Sequence, residues 1–165
     1  MAKFSEKNYL NFTAEDYDLD EILEDYRDAV KDDGCRVGDR FFFYQKGLFQ
    51  NDVLSFEKLL WVYPMRAAQK GKSGEQFHND RGVLVFYSQE GERFDLLFKT
   101  PHKAESLFSF LVPTLQQYQV VAGLAPELLH GMEEGGVAGF RAALAKLQQE
   151  YAARSRAGDS HHLYY

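Results

Sequence analysis

Apolar and polar positions change period several times along the chain, and the changes divide it into parts. Residues 1–17 are polar with scattered aromatics (Phe4, Tyr9, Phe12, Tyr17), show no period, and are expected to form an irregular arm. From Asp18 onward Leu19, Ile22, Leu23, Tyr26 and Val30 fall on one helical stripe, with acids on the opposite side. Asp18 followed three residues later by Glu21 has the form of a capping box, and Gly34 is placed to end the helix, so a helix is expected over 18–33.

Between residues 36 and 99 the pattern becomes that of strands. A first strand is expected over 36–44, where Phe41-Phe42-Phe43-Tyr44 is apolar at consecutive positions. Such a strand is covered on both faces. Gln45-Lys46-Gly47 and Ser88-Gln89-Glu90-Gly91 each set polar residues and a glycine between apolar runs, the signature of two β-hairpins. Asn51-Asp52 is expected to turn, Val53-Leu54-Ser55-Phe56 to form a short strand, and Glu57-Lys58 to interrupt it before the two-sided strand Leu59–Tyr63. Pro64 lacks a ladder donor, so that strand must end or reach a sheet edge there. Residues 66–80 have the composition of a loop. In the last strand Phe94, Leu96 and Phe98 alternate with Asp95, Leu97 and Lys99, which leaves one face to solvent.

Thr100-Pro101 opens a helix with a capping residue and a proline at its first position. Ala104, Leu107, Phe108, Leu111, Leu115 and Tyr118 form its stripe over 101–118, while Phe110 and Val112 point to its flanks. Residues 119–125 are expected to be extended and Pro126–Leu129 to make one helical turn. After the Gly135-Gly136 break, a last amphipathic helix aligns Val137, Phe140, Leu144, Leu147 and Tyr151. The expectation is that this helix covers the flank of helix 101–118, either for good or as an exchangeable cover that makes self-association possible. The partner-groove candidates are therefore Phe110, Val112, Phe140, Leu144, Leu147 and Tyr151.

Charge sharpens this division. Residues 1–33 hold eleven acids and four bases, a net of −7, and the remaining fourteen acids and fifteen bases give +1, which together make the −6 of the chain. The body is neutral and lacks the basic footprint of a nucleic-acid binder. The one cysteine, Cys35, allows no intramolecular disulfide and suits a reducing cytoplasm. No apolar run approaches a membrane span, and the first residues carry no secretory signal pattern.

Chemistry-bearing patterns are few. Lys70-Gly71-Lys72-Ser73-Gly74 has the residues of a phosphate loop but not its spacing. With Arg66 and Arg81 on either side, Lys70 and Lys72 form a basic cluster able to hold an anionic headgroup, although Glu75 and Asp80 share the loop. His130-Gly131-Met132-Glu133-Glu134 lacks the second histidine of a helical zinc motif and is expected to lie in a loop; His161-His162 sit on the tail. No catalytic residue, metal site or cofactor is expected.

The run Gly38-Asp39-Arg40-Phe41-Phe42-Phe43-Tyr44, followed by Val53-Leu54-Ser55-Phe56-Glu57-Lys58-Leu59-Leu60-Trp61-Val62-Tyr63, resembles bacterial pleckstrin-homology-like (PH-like) proteins of unknown function. The resemblance covers about residues 20–118 and implies an α+β, mainly antiparallel fold: a bent sheet or partly open barrel capped by the 101–118 helix. The domain so implied runs over 18–118 and includes the N-terminal helix 18–33, and residues 119–165 form a helical extension and tail. The implied role is binding or scaffolding rather than catalysis. Two functions are expected on these grounds: a non-catalytic interaction module for a protein or peptide, or a binder of an anionic small molecule or lipid headgroup through the 66–81 loop.

Overall fold

The computed structural model describes residues 9–11, 17–32, 34–46, 50–67 and 81–156. Within them the chain is α+β with two mainly antiparallel sheets. The first sheet orders its strands β1 (Tyr9–Asn11), β5 (Gln50–Ser55), β4 (Phe41–Lys46), β3 (Cys35–Val37) and β2 (Val30–Asp32); the second runs β8 (Arg93–Phe98), β7 (Arg81–Ser88), β6 (Leu59–Ala67) and β9 (Val121–Ala122). Among the described residues only β1 with β5 and β6 with β9 pair in parallel. Helix α1 (Leu19–Asp28) precedes the meander β2 to β5, helix α2 (Pro101–Gln117) follows β8, and helix α3 (Pro126–Arg156) ends the described chain.

Several boundaries differ from those expected, each for a local reason. The helical stripe does not carry on to residue 33: Ala29 turns extended (φ −69°, ψ 143°), and Val30–Asp32 pairs with Cys35–Val37 around Gly34 at φ +82°. Gly34 thus makes a hairpin turn rather than a helix stop, because strand pairing satisfies backbone groups that a frayed last turn would leave open. The strand expected over 36–44 is two strands, parted at Gly38–Arg40, where the Gly38 amide donates to the Phe41 carbonyl at 2.9 Å. Asn51 and Asp52 lie inside β5, opposite Gln45 and Tyr44, and Gln45 and Lys46 belong to β4; residues 47–49 fall outside the described residues. A three-residue strand, β1, stands where an irregular arm was expected.

Other expectations hold. A 3-10 turn, Phe56–Lys58, separates β5 from β6 at the expected interruption. The β7–β8 hairpin forms, and β8 buries Leu96 and Phe98 while leaving Asp95, Leu97 and Lys99 exposed. The Thr100 hydroxyl caps α2 by accepting the Lys103 amide at 3.3 Å. Strand β6 runs past Pro64 to Ala67, but β9 accompanies it only at Trp61 and Val62, so at Pro64 no described strand pairs with β6 on that side.

Two-sided apolar strands dictate the layers. On the inner side Phe42, Leu54, Val62, Leu84, Phe86, Leu96 and Phe98 share one core with Leu107, Leu111 and Leu115 of α2. On the outer side of the second sheet Trp61, Tyr63, Val83, Val85 and Tyr87 meet Leu128, Met132 and Phe140 of α3. On the outer side of the first sheet Phe41, Phe43 and Val53 meet Ile22 of α1.

Helix α3 bends back on itself at Gly136 (φ +62°, ψ −146°), which gives a first arm of residues 126–135 and a second of 137–156. The single turn expected at 126–129 is thus a longer helix, and His130 lies on it rather than in a loop. The arms touch where Gly131 meets Gly139: a Cβ on Gly131 would stand 2.6 Å from the Gly139 carbonyl oxygen. Only glycine fits there.

Trp61 is the centre of the outer core. It is fully buried, lies 4.4–5.3 Å from the rings of Tyr63, Phe140 and Tyr87, and donates its Nε1–H to the Gly123 carbonyl at 2.9 Å. Trp61→Ala removes that packing and leaves a cavity, so a loss of about 3–5 kcal/mol is expected in urea unfolding; a midpoint equal to wild type would refute the layer assignment. Burial, and secondarily Tyr87, raise the Tyr63 phenol to about 12. Its neutral form is favoured in the folded state, so this contribution to stability is full below pH 10 and lost as the pH rises towards 12. Absorbance titration of wild type against Tyr63→Phe should show one tyrosine ionising late, with the wild type losing more stability over that window.

Candidate functional site

The best-defined cleft of chemical interest lies where the C-terminal end of α1 meets the β2–β3 hairpin. Antiparallel pairing sets Lys31 directly opposite Arg36, and Arg36 directly opposite Phe43 of β4. Residues in register across adjacent strands share one face. Here that face is the one α1 covers, since Phe43 belongs to the α1 core. Tyr26 of α1 stands edge-on over Phe43 (centroids 5.1 Å apart, planes at 81°), and the Arg36 guanidinium lies over the Tyr26 ring at 4.2 Å. Together with Gly34, Cys35 and Gln45 these side chains enclose a cavity of about 140 Å³. That volume takes a small group and not a drug-sized ligand.

What holds α1 over this cleft is Asp25. Its carboxylate accepts three backbone N–H groups from the turn before β4: Asp39 to Oδ1 at 2.9 Å, and Arg40 and Phe41 to Oδ2 at 3.1 and 2.8 Å. The turn approaches so closely that a Cβ at Gly38 would overlap the carboxylate. Arg40 adds an ion pair to Glu21 of α1 at 3.7 Å. From the other side the Tyr118 hydroxyl, at the end of α2, donates to the Asp39 carbonyl at 2.7 Å. At the start of α1, Tyr17 packs edge-on against Phe41, and its hydroxyl donates to Glu57 while accepting from Ser55. Burial first, then the Glu57 bond, raise the Tyr17 phenol above its ordinary value.

Arg66 and Arg81, half of the basic cluster expected from sequence, lie on neighbouring strands at the open ends of β6 and β7, where Ala67 pairs with Arg81. Arg66 is exposed and forms an ion pair with Glu105 of α2 at 3.8 Å. The Arg81 Nε is buried and has no hydrogen-bond partner among the described residues. Lys70 and Lys72 lie outside the described residues.

The partner-groove candidates are not brought together. Phe110 is 45% exposed on α2, and Val112 packs against the inner core. Phe140, Leu144 and Leu147 instead cover the outer face of the second sheet, and Tyr151 is half-buried farther along the same arm. The final helix therefore does not cover the flank of α2. β6 and β7 present an apolar face on the opposite side of the sheet, with Trp61 at its centre, and the final helix packs there. The cleft residues Tyr26, Lys31 and Arg36 were not singled out from sequence as a site. Their signal was the strand pairing of 30–32 with 35–37, which the helical stripe concealed.

Among the described residues no group of three or more His, Cys, Asp or Glu is arranged to hold a metal ion, and no helix is long and apolar enough to cross a membrane. No protein-family model, no curated protein and no solved structure matches the chain.

Asp25→Ala should lower stability by about 1–2 kcal/mol, since three part-exposed charge-assisted bonds are lost and three amides must find water. Hydrogen exchange should accelerate at the amides of residues 39–41. Unchanged exchange there would show that Asp25 does not hold the turn.

Proposed function

We propose that this chain is a non-catalytic interaction module that captures an anionic group of a protein or peptide partner in the cleft between α1 and the β2–β3 hairpin. The observation that carries the reading is the register of Lys31 against Arg36. That register sets two cationic side chains on the face that lines the cavity, where both can reach one anionic group. The ring of Tyr26 holds the Arg36 guanidinium in a fixed plane, which suits the bidentate recognition of a carboxylate or phosphate. The resemblance to PH-like domains also supports binding over catalysis. It rests now on four consecutive antiparallel strands (β2 to β5), three more (β6 to β8) and a helix. That argument is one of fold analogy.

A second reading, capture of an anionic small molecule or lipid headgroup at the 66–81 end of the second sheet, is favoured by the buried Nε of Arg81, which has no hydrogen-bond partner among the described residues, on the strand next to that of Arg66.

Titration of the nitrogen-15-labelled chain with inorganic phosphate, then with a phosphoserine peptide, tests both. Capture in the cleft predicts amide shifts at Lys31, Gly34, Cys35, Arg36 and Gln45. It also predicts that Lys31→Ala/Arg36→Ala weakens peptide binding by about tenfold or more, or roughly 1.4 kcal/mol. Shifts confined to Arg66, Ala67 and Arg81, together with salt-sensitive binding to anionic vesicles, would move the function to the second site. No shift in either region would refute both readings.

A further inference from the structure

Within Pro126–Arg156 the backbone is helical on both sides of a single residue, Gly136, whose φ of +62° and ψ of −146° turn the chain back. That combination is open to glycine and costly for other residues. No loop joins the arms. Gly135 and Gly136 are both exposed, and a Cβ built on either would meet no atom within 4 Å. Rotation of Gly136 alone to helical dihedrals therefore joins the arms into one straight helix of 31 residues. Such a helix is about 46 Å long. Straightening carries Val137, Phe140, Leu144 and Leu147 away from the outer face of the second sheet and uncovers the Trp61 ring. The released arm and the uncovered face remain complementary, and a second copy of the chain carries the same pair of surfaces.

We propose that this chain pairs with a second copy of itself by exchanging residues 137–156 across a straightened Gly136. Each released arm lies on the other copy's second sheet, so that Phe140 of one chain packs on Trp61 of the other. Every contact of the closed hairpin is remade once per chain. The exchange costs association entropy and gains the helical turn that the bend interrupts, so the pair is favoured as concentration rises. It is independent of the anion cleft, which belongs to the α1 layer.

The register of the arms specifies how the two copies meet. In the hairpin Gly131 and Gly139 touch backbone to backbone. In the exchanged pair that contact occurs twice, about 12 Å apart, because the two glycines stand eight residues apart on one straight helix. Gly135 falls midway, four residues from each and on the same face, and so meets Gly135 of the second copy on the two-fold axis. In the single chain Gly135 has no positive φ and only open space on its Cβ side, so nothing local requires glycine there, and glycine weakens the helix. The close approach of two backbones supplies the requirement.

The test follows the full chain by size-exclusion chromatography with light scattering. Wild type should give a monomer and a dimer whose ratio shifts to the dimer as concentration rises. Gly136→Ala disfavours the bend and favours the straight helix, so it should raise the dimerisation constant about tenfold per hinge, or about a hundredfold for two. Gly135→Leu fits the open space of the hairpin but obstructs the two-fold contact, so it should leave a folded monomer and lower the dimerisation constant at least about tenfold. In a mixed dimer of carbon-13-labelled and unlabelled chains, the Trp61–Phe140 contact should give an intermolecular NOE. A dimer that keeps this contact only within each chain would overturn the proposal. So would wild type and Gly136→Ala that stay monomeric at every concentration. If Gly136→Ala does not fold, wild type refolded at high concentration decides: no dimer, or a dimer that Gly135→Leu leaves intact, overturns the exchange.

Discussion

The β6–β7 pair is apolar on both faces, and that constraint arranges everything else. A two-sided strand pair leaves no face for water, so each face has to find a partner layer. On one side the partner is α2 together with the first sheet; on the other it is the hairpin of α3. β9 then closes the edge of β6 at Trp61 and Val62 and delivers the Gly123 carbonyl to the indole N–H. The sole tryptophan thus has its ring sandwiched and its one donor satisfied, as burial of an indole requires.

The first sheet meets the same demand more economically. Phe41 and Phe43 face outward as Phe42 faces inward, and a ten-residue helix suffices to cover them. A helix that short has little stability of its own. Its place depends on tertiary contacts, of which the grip of Asp25 on the turn before β4 is the most directional. That turn is also bonded to Tyr118, so α1, the first sheet and α2 are joined at one point. The cleft beside Tyr26 exists because α1 ends there and the chain reverses at once into a hairpin.

Much of this was legible in sequence. Consecutive aromatics at 41–44 and 59–63 announced two-sided strands, and Thr100-Pro101 and Gly135-Gly136 marked a helix start and a helix break with their local chemistry. What escaped was set by partners distant in sequence or by overlapping patterns. Val30 fits a helical stripe as well as a strand, and only pairing with Val37 decides between them. Gly38-Asp39-Arg40 reads as part of a strand until the carboxylate from α1 takes its amides. The stripe Val137–Tyr151 gave its own period but not the surface it would cover. Which of two apolar faces receives it is a matter of three-dimensional area, which periodicity does not encode. The cleft pairing Lys31 with Arg36 escaped with the hairpin that builds it.

The position of Phe140 has a consequence for the order in which the molecule can be completed. It follows Trp61 by 79 positions, yet it packs on that ring at 4.8 Å. A ribosome adding about 5–20 residues per second leaves an interval of roughly 4–16 s between synthesis of the two residues. α2 is complete at Gln117, so for roughly the last 1–5 s of that interval the strand pair can form with α2 on its inner face while Trp61, Tyr63, Val83, Val85 and Tyr87 still lack the α3 layer. The nascent chain therefore passes through a half-covered stage, in which a flat aromatic surface waits for the last third of the sequence to arrive.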